Sequence, residues 1–313
     1  MTDVACVGIL VADILTKPVN AMPERGLLKN VDKIELHTGG NAMTAAINLR
    51  TLGNTSSITG KVGTDFWGDF LIGEMQKKGI DCRNVARDAE TQTSSSVLML
   101  SEDGERTFFH CVGANGTFRM SDVDFSLIEE AKTVFVTGIF LLDAFDTNDL
   151  TDFLKKCKEL GKTTVADVCW DSKNRWSSII SPAMKDIDIF LPSIDEAREI
   201  AGKETPEECA DEFFRMGAKS VIIKVGKDGC YVRESRESEG VTLPCCKNVK
   251  AVDTTGAGDS FCSGFLAAYS RGKSFMDCAR FANAAGALSV MSVGATTGMK
   301  SYEETEKFML ENS

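Results

Sequence analysis

Apolar residues along the chain follow two alternating patterns. Short runs rich in β-branched side chains, typical of buried strands, are separated by stretches in which apolar positions recur every three or four residues, as in helices. The strand-like runs are residues 4–12, 57–59, 133–137, 163–168, 187–191 and 220–225. The helical stretches include residues 41–52, 66–78, 148–160, 195–201 and 205–216. This alternation predicts a three-layer α/β/α fold around a mostly parallel central sheet.

Two stretches, approximately residues 14–37 and 93–119, break this rhythm. In the second, apolar segments flank the turn Glu102-Asp-Gly-Glu105, which is a hairpin signature. We predict a small β-sheet lid built from the two stretches, within a single domain that spans residues 1–313. Ligands of open parallel sheets bind at the carboxyl ends of the strands, so such a lid would cover the site.

Composition narrows the class of protein. The 313 residues are 43% hydrophobic and 26% charged, as in a soluble globular protein, and the net charge of −11 disfavours nucleic acid and anionic membranes as partners. Eleven cysteines without a Cys-x-x-Cys spacing indicate reduced thiols, and two histidines leave few candidates for a catalytic triad. With neither a basic signal sequence nor an apolar run of ~18 residues, we expect a cytoplasmic protein.

The segment Asp253-Thr-Thr-Gly-Ala-Gly-Asp259 runs directly into an amphipathic helical pattern. Gly256 and Gly258 allow backbone conformations closed to other residues, so that several N–H groups can point at one anion. The dipole of the following helix adds to this attraction. We therefore predict that the amides of Gly256, Ala257 and Gly258 form an anion hole for a phosphoryl group.

Asp259 ends this segment, although its charge opposes that of a bound phosphate. A carboxylate is the usual acceptor of the proton that a hydroxyl nucleophile loses in phosphoryl transfer, so Asp259 is our candidate for a catalytic base. The alternative is a helix cap, because Asp and Gly are common before helices.

The whole string from Asp253 to Asp259 resembles the carboxyl-terminal signature of the ribokinase-like, phosphofructokinase-B (PfkB) family of carbohydrate kinases. This resemblance favours the catalytic interpretation. It implies an enzyme that uses ATP and Mg²⁺ to phosphorylate a hydroxyl of a small sugar or sugar-like molecule, with Asp259 as general base.

A second segment, Thr38-Gly-Gly-Asn-Ala-Met-Thr44, resembles the family's first signature. The turn at Gly39 and Gly40 would bring backbone close to a polyol, and the following helix would offer Asn41 and Thr44. Family members also place a substrate-binding aspartate at the position of Asp13, which we expect at the end of the first strand. The alternatives are structural: a turn before a helix and a strand-ending residue.

The resemblance also implies a nucleotide site and a cation site. The strand and glycine turn that contain Lys224, Gly226 and Gly229, together with Asn283, match segments that contact ATP in the family. By the same resemblance, a monovalent cation such as K⁺ would be held beside the predicted anion hole. Its predicted ligands are Asp253, Thr255, Ser289, Ser292, Gly294 and Gly298.

The chain also departs from the family pattern. Many relatives carry Asn-x-x-Glu, which organises magnesium, water and phosphate, whereas this chain has Ser193-Ile-Asp-Glu196 and keeps only the glutamate. Glu196 is thus the predicted outer-sphere Mg²⁺ residue. Ribokinases proper have an asparagine near Thr44 and a carboxylate after the strand that ends near Phe140, where this chain is apolar, so we do not expect ribose as the acceptor.

Three functions remain open from the sequence. The first is a sugar kinase; the second is a nucleoside kinase of the same superfamily, for which Phe109 and Phe140 leave room. The third is a sugar or nucleotide sensor without catalysis, which an intact Asp259 disfavours. As in many relatives, we expect a homodimer formed through the lid.

Overall fold

The computed structural model describes residues 2–102 and 105–312. The strands are β1 Thr2–Gly8, β2 Val11–Lys17, β3 Lys33–Gly39, β4 Ser56–Gly63, β5 Asp81–Asp88, β6 Ser95–Leu100, β7 Arg106–Cys111, β8 Ala131–Ile139, β9 Thr163–Val168, β10 Ile189–Phe190, β11 Ser220–Lys224, β12 Cys230–Arg233 and β13 Val241–Leu243. The α-helices are α1 Asn41–Thr51, α2 Phe66–Lys77, α3 Phe125–Glu129, α4 Asn148–Glu159, α5 Trp176–Ala183, α6 Ile194–Ala201, α7 Pro206–Met216, α8 Ala257–Tyr269, α9 Phe275–Ser289 and α10 Tyr302–Asn312.

The larger sheet has nine strands in the order β13-β12-β11-β10-β9-β8-β1-β4-β5. Strands β5, β4, β1, β8, β9, β10 and β11 are mutually parallel, whereas β12 and β13 run antiparallel at one edge. The parallel strands therefore end at the same edge of the sheet, where the site lies.

Side chains of the central strands alternate between two apolar cores, one on each face of the sheet. In β8, Phe135 packs into the first core, whereas Val134 and Val136 pack into the second. The first core is covered by α1, α2, α8, α9 and α10, and the second by helices α3 to α7. This arrangement confirms the predicted three-layer fold. Among the described residues, no helix has the length and apolarity needed to cross a membrane.

The predicted lid is a separate four-stranded sheet in the order β3-β2-β6-β7. Strands β6 and β7 pair antiparallel, from Ser95 with Cys111 to Leu100 with Arg106, which confirms the predicted hairpin strands. Residues 103 and 104 of the predicted turn lie outside the described residues. The lid strands span 11–17, 33–39, 95–100 and 106–111, so the lid begins three residues before the predicted stretch.

The prediction of one continuous strand over residues 4–12 is wrong. Strand β1 ends at Gly8, and the chain then enters the lid at Val11, which places Asp13 inside β2 and not at the end of the first strand. Gly8 passes so close to β8 that a Cβ atom there would lie 1.8 Å from the Thr137 carbonyl oxygen. The backbone N–H and carbonyl groups of Leu10 then form hydrogen bonds with the side chain of Asn115, which takes the place of a neighbouring strand.

Candidate active site

Helix α8 places Asp259 in its first turn. Gly256 precedes the helix in a left-handed conformation with φ of 72°, and a Cβ atom there would lie 2.6 Å from the Cβ of Ala295. Glycine is thus required at this turn both by conformation and by space. The Asp259 side chain lies within the protein, and the residue is only 8% exposed.

The environment of Asp259 suits a base that is active near neutral pH. Asn41, the first residue of α1, donates a hydrogen bond from Nδ2 to Oδ1 of Asp259 over 2.8 Å. Burial, followed by the charge of Asp167, raises the pKa of Asp259 to about 7, although Asn41 and Lys224 act in the opposite direction. A carboxyl group with this pKa can take up a proton and release it at neutral pH.

Lys224 brings a positive charge to the predicted anion hole. Its ammonium group forms a 2.8 Å ion pair with Asp167 and would lie 3.4 Å from a Cβ atom at Gly258. Burial disfavours the charged form of Lys224, but Asp167 and then Glu196 contribute to a net rise in its pKa. Lys224 therefore stays charged beside the amides predicted to bind phosphate.

A cavity of about 650 Å³ joins these groups. It is lined by Asn41, Asp167, Trp170, Glu196, Lys224, Gly256, Ala257, Gly258 and Asp259, among others. Elements that are distant in the sequence therefore deliver the predicted base, the predicted anion hole and the predicted Mg²⁺ residue to one space.

An adjoining cavity of about 460 Å³ contains all four predicted ATP-binding residues, Lys224, Gly226, Gly229 and Asn283. The Asn283 side chain donates a 3.2 Å hydrogen bond to the carbonyl of Pro244. The two cavities share Lys224 and the 257–258 amides, so a nucleotide with its base in one can extend its phosphates into the other.

Asp13, on lid strand β2, lies beside the paired glycines at the end of lid strand β3. A Cβ atom at Gly39 would lie 2.0 Å from Oδ2 of Asp13, and one at Gly40, where φ is 88°, would lie 2.5 Å from the carbonyl oxygen of Ile9. Burial raises the pKa of Asp13 to about 6, whereas a hydrogen bond with Ser96 lowers it. Asp13 also lines a cavity of about 210 Å³ between the lid and two loops at residues 252–255 and 293–297.

The two polar residues predicted at the start of α1 differ in their surroundings. The Asn41 side chain lies between Asp259 and Cys169, whose thiol donates to Asn41 Oδ1 over 3.2 Å. Thr44 is only 2% exposed, and its backbone N–H donates to the Gly40 carbonyl. Contact between either side chain and a substrate stays a prediction.

The residues predicted to bind a monovalent cation lie on two facing segments. The Asp253 carboxylate accepts 2.8 Å hydrogen bonds from the backbone amides of Thr255 and Gly294, which ties the segments together. Within the second segment, Gly298 lies close to Ser289, since a Cβ atom at Gly298 would lie 2.7 Å from the carbonyl oxygen of Ser289. Ser292 donates its backbone N–H to that same carbonyl. Their role in cation binding remains a prediction.

Ser193 and Glu196 form a capping box at the start of α6. The Ser193 hydroxyl accepts from the Glu196 amide, and the Ser193 amide donates to Glu196 Oε2 over 2.8 Å. Burial, followed by the charge of Asp167, raises the pKa of Glu196. The backbone amide of Ser193 thus orients the Glu196 carboxylate, and the Ser193 hydroxyl caps the helix.

The sequence patterns did not predict three further site residues: Asp167, the penultimate residue of β9, and Cys169 and Trp170, which follow that strand. A signal for Asp167 was available, because an acid near the carboxyl end of a predicted parallel strand lies close to the edge where ligands bind. Cys169 and Trp170 had no such signal, because a thiol and an indole at the end of a strand are usually structural.

Comparison with known proteins gives a consistent result. A family model described as pfkB family carbohydrate kinase matches residues 1–301. The chain is 29% identical over 296 residues to 2-dehydro-3-deoxygluconokinase of Bacillus subtilis, which covers 91% of this chain and 90% of that protein. It is 28% identical over 298 residues to ATP-dependent 6-phosphofructokinase of Thermoanaerobacterium thermosaccharolyticum, covering 94% and 89% of the two chains.

Solved structures agree with the fold. The ribokinase of Arabidopsis thaliana, complexed with ribose and ATP, superposes with a TM-score of 0.86 at 25% identity over 98% of both chains. A ribokinase from Thermotoga maritima superposes with a TM-score of 0.83 at 25% identity over the full length of both chains.

Proposed function

The chain belongs to the pfkB family of carbohydrate kinases, and we propose that it phosphorylates one hydroxyl of a neutral sugar-like acceptor, with Asp259 as the base. Membership makes it an ATP-dependent sugar kinase, as its relatives are.

One observation carries the proposal: a buried carboxylate with a pKa of about 7 stands directly beside the amides of residues 256–258. Asp259 accepts the proton of the acceptor hydroxyl while the hydroxyl oxygen bonds to the γ-phosphorus. The bond from that phosphorus to the β–γ bridging oxygen breaks, and ADP leaves. The 256–258 amides and the Lys224 ammonium stabilise the negative charge on the phosphoryl oxygens.

Glu196 suits a magnesium ion, which prefers oxygen ligands and retains several waters. Within the described ranges, no group of three or more His, Cys, Asp or Glu side chains is arranged to hold a metal, so Glu196 would act through water beside the nucleotide phosphates. When bound, Mg²⁺ neutralises phosphate charge. Glu196 is held for this role by the amide of Ser193.

The segments around Asp253 and Gly294 suit a monovalent cation. Their donor set combines a carboxylate with hydroxyl and carbonyl oxygens, and hydrogen bonds to Asp253 fix the two segments together. We propose that Asp253, Thr255, Ser289, Ser292, Gly294 and Gly298 hold a cation such as K⁺. Because Gly256 packs on Ala295, occupancy would influence the anion hole through that contact.

Four cations around the site are already paired with carboxylates, which supports a neutral acceptor. Lys224 pairs with Asp167, Arg175 with Asp171 and Asp143, Lys61 with Asp122, and Lys17 with Glu35. An acceptor with a carboxylate or phosphate would have to displace these partners. Asp13, in contrast, can accept hydrogen bonds from the hydroxyls of a neutral polyol.

A nucleoside acceptor is the second candidate, and Trp170 is the observation that favours it. Its ring is 54% exposed and lines the cavity that contains Asp259. Trp176 supports it edge-on, with ring centroids 5.0 Å apart, and in turn packs against Phe140. An exposed, braced aromatic ring can stack on a planar base.

A panel of acceptors tests the proposal. We expect ADP release, measured by a coupled assay, with neutral hexoses or pentoses, and lower kcat/KM with sugar acids, sugar phosphates and nucleosides. Trp170→Ala serves as the matched variant, because it should reduce turnover of a nucleoside far more than that of a sugar. Highest kcat/KM with a sugar acid or sugar phosphate would contradict the neutral-acceptor proposal, and a nucleoside maximum would establish the second candidate.

The lid offers a surface for a homodimer. An apolar row crosses all four lid strands on the face opposite Asp13: Leu36, which packs against the first core, is followed by Ile14, Val97 and Phe109. Phe109 and Val97 are exposed in the single chain, and a second copy of the lid would cover them.

The cysteines and the net charge bear on where the protein works and on its partners. The eleven cysteines are free thiols, which suits the reducing cytoplasm. The net charge of −11 disfavours nucleic acid as a partner.

A further inference from the structure

Asn41 connects the proposed base to a thiol on another strand. Its amide nitrogen donates to Asp259 Oδ1 over 2.8 Å, and its amide oxygen accepts from the Cys169 sulfur over 3.2 Å. Asn41 lies in α1, Asp259 in α8, and Cys169 directly after β9. Both ends of one side-chain amide are therefore fixed by partners from other elements.

The hydrogen-bonding properties of Asp259 and Cys169 determine the orientation of the Asn41 side-chain amide. An ionised carboxylate only accepts hydrogen bonds, so the Asn41 nitrogen must face Asp259 when the base is ready to act. The oxygen then faces Cys169, whose S–H group is a donor. Burial, followed by the charges of Glu196 and Asp167, raises the pKa of Cys169 well above that of an ordinary thiol, so the donor keeps its proton at neutral pH.

We propose that Asn41 is a positioning residue for the Asp259 base, and that Cys169 locks the Asn41 amide in the orientation that the ionised base requires. This role differs from the substrate contact that the sequence predicts for Asn41. It rests on the proposed function, since it concerns the base of that reaction.

Several other groups also influence the titration of Asp259, and their influence must be separated from that of the Asn41 amide. The charged groups are Asp167 in β9, Glu196 in α6 and Lys224 in β11. Cys262, one turn further along α8, donates its thiol to Asp167 over 3.4 Å. Variants at Asn41 and Cys169 leave all four side chains in place, so a change in the titration of the base reports on the amide.

The test is the pH dependence of kcat/KM for the acceptor. Asn41→Ala removes the donor to Asp259, and the acid limb should move to higher pH by about half to one unit, the equivalent of one hydrogen bond. Cys169→Ala should move the limb in the same direction by a smaller amount. Cys169→Ser keeps a donor and should return the limb to its wild-type position.

The double variant Asn41→Ala/Cys169→Ala supplies the decisive comparison. Because Cys169 acts through Asn41, the double variant should have the acid limb of Asn41→Ala alone. Cys157→Ala, which removes a buried thiol in α4, is the control and should leave the limb unmoved. If Cys169→Ala does not fold, as judged by circular dichroism, Cys169→Val takes its place.

Any of three results would overturn the proposal. In the first, Asn41→Ala raises the KM for the acceptor but leaves the acid limb of the kcat/KM profile unmoved. In the second, Cys169→Ala and Cys169→Ser have identical acid limbs, and in the third, the shifts of the two single variants add in the double variant. Failure of the proposed function looks different. In that case Asp259→Asn would retain turnover, whereas failure of this inference alone leaves Asp259→Asn inactive.

Discussion

The ammonium group of Lys224 lies 2.8 Å from Oδ2 of Asp167, and both side chains are almost fully buried. Lys224 is the last residue of β11 and Asp167 is the penultimate residue of β9, and these two strands lie on either side of β10. This pair brings a fixed positive charge to the proposed anion hole and holds one of the three carboxylates that line the same cavity.

Breaking this pair on one side should destabilise the protein. Lys224→Met leaves Asp167 as a buried, unpaired charge, and we expect a loss of about 3 kcal/mol in the free energy of unfolding. The double variant Lys224→Met/Asp167→Leu removes both charges and should recover most of that loss. Urea denaturation at pH 7.5 measures the free energy of unfolding of both variants. Equal losses in the single and double variants would show that the broken ion pair does not cause the destabilisation.

Activity should fall on the acid side of neutrality. Asp259 must be ionised to accept a proton, and its pKa of about 7 is raised mainly by burial. We therefore expect kcat/KM to decrease about tenfold for each pH unit well below 7. A pH profile measured with saturating MgATP checks this, and a flat profile between pH 5.5 and 8 would contradict it.

Gly256 should be intolerant of any side chain. Gly256→Ala combines a φ of 72° with a Cβ atom only 2.6 Å from that of Ala295, so the anion hole must shift. We expect a loss of about 1 to 3 kcal/mol in stability and a large fall in kcat. Gly202→Ala is the matched control, because φ there is 63° but the Cβ atom meets no neighbour within 4 Å. Gly202→Ala should lose less stability than Gly256→Ala, because only its backbone conformation is unfavourable, and it should retain kcat.

The lid surface can be tested with two adjacent phenylalanines. Phe109 lies on the outer apolar row, whereas Phe108 pairs with Leu98 on the opposite face, and both side chains are exposed. Phe109→Glu should convert a dimer into a monomer in size-exclusion chromatography with light scattering, because it places a charge in the proposed interface. Phe108→Glu should remain dimeric; the same mass for both variants would argue against lid pairing.

Much of the fold could be predicted because burial imposes clear periodicity. Runs such as residues 163–168 are strands in the structure, with the predicted bounds. The break after Gly8 was missed because Ile9 to Ala12 are as deeply buried as the strand before them, so the apolar pattern continues across two sheets. The antiparallel edge formed by β12 and β13 was also missed, since its strands are only four and three residues long.

The site was predictable only where one segment carries the chemistry. The glycine turn and Asp259 are contiguous, so their combination is visible in the sequence. The pairing of Asp167 with Lys224 and the contact of Cys169 with Asn41 join residues 57 and 128 positions apart. These relationships depend on the order of strands in the sheet, which local patterns do not specify.

Replacing the base should separate stability from function. The folded protein holds the Asp259 proton more tightly than the unfolded chain, because the pKa is raised from 3.8 to about 7. Ionisation therefore costs stability progressively between about pH 4 and pH 7, and the full cost persists above that window. Asp259→Asn should thus be more stable than the wild type at pH 8, by a few kcal/mol at most, and nearly equal at pH 4. Thermal unfolding at the two pH values checks this difference.

The most direct test of the account is the rate of phosphoryl transfer by that same variant. With the acceptor identified by the panel, single-turnover measurements at pH 8 should show that Asp259→Asn transfers the phosphoryl group at least about 100-fold more slowly than the wild type. ATP binding, measured by calorimetry, should be retained. A folded Asp259→Asn protein that transfers phosphate at the wild-type rate would contradict the assignment of Asp259 as the base.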